Sequence, residues 1–315
     1  MNKSCKPTSV GGQAVIEGVM MRGVKKIATS VRCPDGHIET EIKPVNLLSV
    51  KWKINKIPIL RGLFSFFESL YTGVSCLMFS AKFFEDEDDN PEKMSKFEKW
   101  LMEKLGDKIY DVIMYISVLF SLVIGIGLFM LLPNYLIGFL KKSFPDISVV
   151  LLNISEGALR MLLFIIYIYF VSKMKDIQRV FMYHGAEHKS IFCYEHGDEL
   201  TVENVKKYQR FHPRCGTSFL IIVMVVSVII FSFISWENLF IRMIYRLLLL
   251  PVVAGLSYEL IKLAGKYENK FTRMISAPGM WMQHLTTKEP DDSQIEVAIT
   301  ALKAVISENR EDDKW

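Results

Sequence analysis

Charge is missing from four long stretches of this 315-residue chain, and that absence sets its class. Residues 112–132, 149–172, 217–235 and 239–263 hold only six charged side chains: Glu156, Arg160, Arg242, Arg246, Glu259 and Lys262. The whole chain carries 38 Lys and Arg and 34 Asp and Glu, so the rest of it has a water-facing composition. Cysteine is scarce and odd in number, five residues, which excludes a disulfide scaffold and fits reduced thiols. There is no phosphate-cradling G-x-x-x-x-G-K-[ST], no G-x-S-x-G elbow and no G-x-G-x-x-G, so the usual signatures of three large enzyme classes are absent. Internal repeats and low-complexity segments are lacking too. Basic residues occur without a dense aromatic-basic patch, and nucleic acid is not an expected partner. Residues Met1 to Val10 contain no apolar run before a small-residue cleavage site, so a cleavable signal peptide is not expected.

The four charge-poor stretches are each close to the roughly 20 residues that cross about 30 Å of hydrocarbon. In lipid every backbone polar group must be bonded within the segment, so they read as helices. The expected fold class is mainly α: a polytopic membrane bundle of four spans with a small α+β cytoplasmic domain. A fifth apolar stretch, 57–84, contains Arg61, Glu68, Lys82, Gly62 and Gly73 and is expected as an interfacial or re-entrant helix. Lys and Arg are dense in residues 1–56, in the 173–216 loop and after 263, but the 133–148 loop has only Lys141 and Lys142. The positive-inside rule then places both termini and the 173–216 loop in the cytoplasm, in a plasma-membrane protein. The net charge of +4 fits loops lying beside anionic lipid.

Outside the spans, 1–56 is expected as a cytoplasmic region with a β-hairpin over Val31 to Ile42, turning at Pro34-Asp35-Gly36. Residues 85–111 form a charged linker: an acidic run from Glu85 to Asp89, then an amphipathic helix near Ser95–Leu105. In the cytoplasmic region 264–315, Pro290-Asp291-Asp292 offers an N-cap. The spacing of Ile295, Ala298, Ile299, Leu302, Val305 and Ile306 predicts an amphipathic helix after it.

The chemistry concentrates in the 173–216 loop, which holds four of the six histidines: His184, His188, His196 and His212. A helix through Tyr183-His184-Gly185-Ala186-Glu187-His188 places two imidazoles on one face, the spacing a metal ion needs. The string also fits H-x-x-E-H, the inverted zinc-peptidase pattern, with Glu187 as the candidate catalytic base. Three fixed positions recur often by chance, so the second half of the loop matters. There His212 and Cys215 add an imidazole and a thiol three apart, Pro213 suits a helix start, and Arg214 beside Cys215 favours the thiolate. Neutral His and thiolate Cys suit a divalent metal, zinc before others. Four ligands, His184, His188, His212 and Cys215, would close a tetrahedral, structural site. Three would leave a position open for catalysis, and no metal at all would leave these residues as anchors of the loop.

The charges within the spans have their own readings. Glu156 and Arg160, four apart, form a local ion pair or line a polar path. Arg242 and Arg246 are expected to snorkel outward. Glu259 is expected near the cytoplasmic end of the last span, within reach of the histidines.

Residues 11–23 (Gly-Gly-Gln-Ala-Val-Ile-Glu-Gly-Val-Met-Met-Arg-Gly), 183–189, 211–219 and Pro278-Gly279 through Pro290 resemble the YqhQ-like bacterial membrane family. The resemblance covers nearly the whole chain. It implies a polytopic inner-membrane protein, labelled a metal-dependent enzyme, whose His-rich motif is carried here by His184, Glu187, His188, His212 and Cys215. Its other blocks map to Gln13, Glu17 and Arg22, and to Trp281, Gln283, Thr286 and Thr287. These either line the same cytoplasmic site or serve as caps and turns. The expected function is a metal-dependent hydrolase acting on a peptide or lipid-linked substrate. The alternative is a membrane adaptor or biogenesis factor binding protein partners on its cytoplasmic face.

Overall fold

The computed structural model describes residues 7–45, 56–84, 109–235, 239–266 and 270–313. The acidic run Glu85–Asp89 and the helix expected near Ser95–Leu105 lie outside the described residues. The chain divides into two compact units, Met1–Phe84 with Ile166–Trp315, and Glu85–Ile165.

The first unit starts with a four-stranded antiparallel meander, β1 (Gly11–Val15), β2 (Gly18–Arg22), β3 (Lys26–Arg32) and β4 (Ile38–Pro44), paired in chain order. Gln13 lies opposite Met20, and Met20 opposite Thr29. Both faces of this sheet are covered, which is why β2 reads Gly-Val-Met-Met-Arg without polar alternation. Val19, Met21 and Ala28 pack with Tyr183, Ala186, Ile295, Ala298 and Leu302. On the reverse face, Val15, Met20 and Val31 pack on Cys76, with Phe79 and Phe83 beside it. β3 and β4 are joined through Cys33–His37, where Gly36 takes φ of 92° and donates to the Cys33 carbonyl at 2.9 Å.

The helices supplying those faces are α1 (Leu60–Ala81), α5 (Lys175–His196) and α10 (Asp292–Val305). α10 begins with a capping box: the Asp291 carboxylate accepts from the Gln294 N–H at 2.9 Å, and the Gln294 side chain accepts from the Asp291 N–H at 3.1 Å. Its apolar stripe is fully buried at Ile295, Ala298 and Leu302, worth about 1.5–3 kcal/mol for each large side chain. Short α6 (Val202–Lys206) follows α5. Then come apolar α7 (Gly216–Phe231), α8 (Leu239–Lys266) and α9 (Lys270–Thr286). α9 crosses close to α7, for a Cβ at Gly279 would lie 2.3 Å from Ser218 Oγ.

The segment expected as interfacial or re-entrant is one unbroken 22-residue helix, α1. Its glycines are sites of close approach and not breaks: a Cβ at Gly62 would lie 2.7 Å from Tyr258, and one at Gly73 would lie 2.6 Å from Gln13 Oε1. Two charge readings need correction. Glu259 does not join the histidines; it pairs with Arg61 of α1, accepting from Nε at 2.6 Å, because α1 packs along the end of α8. Arg242 and Arg246 do not snorkel but are buried, 3% and 1% exposed, and the Arg246 guanidinium lies 5.4 Å from the centroid of the Phe231 ring.

In the second unit, α2 (Ile109–Ile126), a π-helical turn (Gly127–Leu131) and α3 (Leu132–Ser143) run on without interruption. Helix therefore extends into the expected 133–148 loop. The wider π turn just ahead of Pro133 accommodates a ring that would clash with the carbonyl four residues before it. α4 (Val149–Val171) carries Glu156, 1% exposed and bonded to Arg160 Nη2 at 2.9 Å, so the local ion pair is the arrangement observed. Among the described residues, four helical segments are long and apolar enough to cross a membrane: Leu60–Ala81, Ile116–Ser143, Val149–Val171 and Phe240–Leu263. α7 is apolar but has 16 residues, shorter than the expected 217–235.

Candidate metal centre

α5 sets the site. One hundred degrees per residue brings His184, His188 and Glu195 onto one stripe of the helix, with Glu187 at its edge. The two imidazole rings lie 4.4 Å apart, centroid to centroid. Cys215, the N-cap of α7, meets them: its Sγ is 3.1 Å from His184 Nε2 and accepts from the Thr217 N–H at 3.4 Å. One ligand atom from each of His184, His188 and Cys215 lies within 4.8 Å of the other two.

The outer ring atoms orient these donors. The Thr286 carbonyl accepts from His184 Nδ1 at 2.8 Å, and the Arg210 carbonyl accepts from His188 Nδ1 at 2.5 Å. Each bond fixes the tautomer that leaves Nε2 with a free lone pair. Among the described residues, His188 Nε2 and Glu187 Oε2 are buried without a hydrogen-bond partner, an arrangement that is costly unless something else satisfies them. Glu187 Oε2 lies 3.9 Å from His184 Nε2. Gly12 makes room for this carboxylate, since a Cβ there would lie 2.9 Å from Glu187 Cγ and 2.6 Å from the Met20 carbonyl.

Burial opposes ionisation of the Cys215 thiol, but His184 and His188 beside it hold the group well below its ordinary value. Burial likewise opposes a charge on His184, yet the neighbouring Cys215 and then Glu187 push it up to about 9. Burial lifts the Glu187 carboxyl above its ordinary value, more than the two histidines lower it.

His212 lies beside these donors, its ring centroid 5.5 Å from that of His188, but outside the group of three. Its Nε2 faces Glu195 Oε2 at 3.7 Å and Arg214 Nη2 at 3.5 Å, and its backbone N–H and C=O are both held by Gln283, at 2.7 and 2.8 Å. Burial pushes its pKa down to about 4, with Glu195 opposing. Arg214 does not serve Cys215 either; it pairs with Glu195. Burial opposes ionisation of Glu195, but His212 and Arg214 hold it at about 2, and it also accepts from the Thr8 N–H and hydroxyl at 2.7 and 3.0 Å. Pro213 lies in the turn before the N-cap, because Cys215 itself caps α7. Glu195 escaped the sequence reading, although its position seven residues beyond His188 put it on the same helical stripe.

The remaining motif residues separate into lining and scaffold. Gln13 and Arg22 line a cavity of about 510 Å³ that opens onto His184 and Cys215. Glu17 sits at a turn with φ of 47°, bonded to Arg179 and to the Tyr183 hydroxyl at 3.2 Å, which offsets the strained backbone. Thr287 donates to the Gln283 carbonyl at 2.7 Å, and Trp281 is 57% exposed. A second group of potential ligands, Cys33, Asp35 and His37, lies in an exposed turn where His37 Nδ1 already bonds Asp35 at 2.5 Å.

A family model described as "Protein of unknown function (DUF1385)" matches residues 57–308. The "Uncharacterized protein YqhQ" of Bacillus subtilis (strain 168) is 36% identical over 307 residues, covering 97% of this chain and 95% of that protein. No solved structure matches the chain.

Proposed function

The chain belongs to the DUF1385 family, and we propose that it is a multi-pass membrane protein with a metal-dependent hydrolytic site on the cytoplasmic face of the plasma membrane. The observation that carries this reading is the convergence of His184, His188 and Cys215 within 4.8 Å, with both Nδ1 atoms already committed to carbonyls. Two neutral imidazoles and a thiolate suit zinc, and three donors leave one tetrahedral position open. A zinc ion held there supplies Lewis acidity toward a carbonyl or phosphoryl oxygen. The chain's own contribution is the carboxylate and the tautomers. Glu187 Oε2, buried and unbonded, accepts a proton from an attacking water and returns it to the leaving group. The carbonyls of Thr286 and Arg210 keep the two imidazoles oriented.

The membrane reading is supported by the apolar helices at 116–143, 149–171, 216–231 and 240–263, the charge asymmetry of the loops and the exposed apolar side chains along them. α1 completes the picture as an interfacial helix. Its first turn pairs with Glu259 near the cytoplasmic end of α8, Phe66 in its second turn faces Phe219 at the start of α7, and its last turn packs under the sheet. Both of its ends therefore belong to the same side.

The test is the metal content of the purified full-length protein. The account expects about one zinc per chain in the wild type, lost in the variant carrying His184→Ala and His188→Ala and retained in Glu187→Gln. Wild-type protein without stoichiometric metal would end the reading. Full cellular function of Glu187→Gln, with a stable protein partner co-purifying, would favour a non-enzymatic adaptor instead.

A further inference from the structure

The cavity beside the metal donors has a composition that the proposed hydrolytic site does not itself require. The cavity runs along edge strand β1, whose Gly11, Gly12, Gln13 and Ala14 all line it. Gly11, Gln13, Met20 and Arg22 share the sheet face turned toward α1, because Gly11 pairs with Arg22 and Gln13 with Met20. Arg22 thus projects into the cavity, and its cross-strand neighbour is a glycine with open space beyond it: a Cβ at Gly11 would meet nothing within 4 Å. Among the described residues, no carboxylate pairs with Arg22. The other polar walls, Ser9, Gln13, Ser69, Thr72 and Thr217, are uncharged, so apart from the metal donors the cavity has one sign of charge. A guanidinium in that setting selects an anion that it can grip with two parallel bonds.

Part of the cavity's lining is apolar. Leu220 lines it and is 45% exposed, so the mouth opens over the first turns of apolar α7, and α1 forms a second wall. A volume of about 510 Å³ suits a small-molecule group and leaves no room for a folded partner. From this we propose that the cavity binds an anionic amphiphile, with a phosphate-like headgroup on Arg22 and an alkyl chain leaving past Leu220, and that Arg22 sets substrate specificity. Calling this ligand the substrate rests on the hydrolytic reading; binding itself does not. His184 and Cys215 line the same space.

The experiment uses full-length protein in a neutral detergent with dodecyl phosphate as probe, counted by native mass spectrometry and titrated for affinity. One dodecyl phosphate should bind per chain. Arg22→Gln should weaken it about tenfold or more, as loss of a charge-assisted pair implies, and Arg22→Lys should recover part of that. Gly11→Leu, which fills the space beside Arg22 without a Cβ clash, should block binding while the thermal midpoint is kept. The variant with His184→Ala and His188→Ala should still bind, which separates this inference from the metal reading: protein devoid of zinc that binds in an Arg22-dependent way leaves the lipid site standing. Unchanged affinity in both Arg22→Gln and Gly11→Leu would overturn the proposal. So would displacement of the probe by equimolar inorganic phosphate, which would mark a site for free anions, or by an equimolar hexaglutamate peptide, which would mark a peptide site.

Discussion

At the residue scale, the decisive contrast is between His212 and Cys215, three apart in sequence and assigned to different networks. Cys215 faces His184 across 3.1 Å, whereas His212 is enclosed by Glu195, Arg214 and Gln283. The enclosure has a measurable consequence. With a folded pKa of about 4 against an ordinary 6.5, His212 stays neutral in the folded chain while the unfolded chain takes up a proton. Stability is then fully present above about pH 6.5 and lost as pH falls through 6.5 toward 4, by up to about 3 kcal/mol. Glu195, held at about 2, adds a further loss below its ordinary 4.5. Thermal midpoints of metal-stripped protein should therefore fall from about pH 7 to about pH 4, and His212→Gln should flatten the upper part of that curve. A midpoint insensitive to pH in this window would show that His212 is solvated. Gly12→Ala is the second residue-scale prediction: with no space between Met20 and Glu187, it should destabilise by about 1–3 kcal/mol and disturb Glu187. Equal stability to wild type, measured by denaturant titration, would contradict the close approach. The i, i+4 histidine pair was legible in the sequence because helix geometry alone brings it together. Which of His212 and Cys215 completes the set was not, because that depends on the bond from Gln283, 71 residues away.

At the element scale, the site is held by α9 as much as by α5. Gln283, fully buried on α9, ties down both backbone groups of His212, and the Thr286 carbonyl orients His184. Gln283→Ala leaves the buried His212 N–H without its partner and the His212 carbonyl with the Cys215 N–H alone, and should cost about 1–3 kcal/mol. The same variant should weaken metal binding, as measured by competition with a chromophoric chelator; unaltered affinity would mean that α9 is a bystander. A second element-scale contact joins α1 to α8 through Arg61 and Glu259, both a quarter exposed. A double-mutant cycle on this pair should give a coupling of about 1 kcal/mol, whereas a value near zero would detach α1 from the bundle. The amphipathic period and the Asp291 cap made α10 legible from the residues alone. The extension of helix through Pro133 was hidden because proline ordinarily interrupts a helix, and the π turn that admits it has no sequence signature. Similarly, β2 lacks alternation because apolar partners cover both of its faces.

At the scale of the whole molecule, uneven charge was the most legible feature: three of the four charge-poor stretches are helices long and apolar enough for a bilayer, and the fourth is a 16-residue apolar helix. Their arrangement was less legible, since a 22-residue α1 satisfies the length rule for a span while pairing with α8 at its first turn and packing on the sheet at its last. The proposed orientation predicts that a cysteine placed at Asp146, between α3 and α4, reacts with an impermeant maleimide added to intact cells. One placed at Asn309 should react only after lysis; the reverse pattern would invert the topology. The hydrolytic reading depends on whether His184, His188 and Cys215 hold a metal together. The direct measurement is the X-ray absorption spectrum of zinc in the purified full-length protein. The account predicts a shell of one sulfur at about 2.3 Å with nitrogen or oxygen neighbours at about 2.0–2.1 Å. The sulfur should vanish in Cys215→Ser, and the spectrum should remain in His212→Gln. Bound zinc without a sulfur neighbour, or no bound zinc at all, would contradict it.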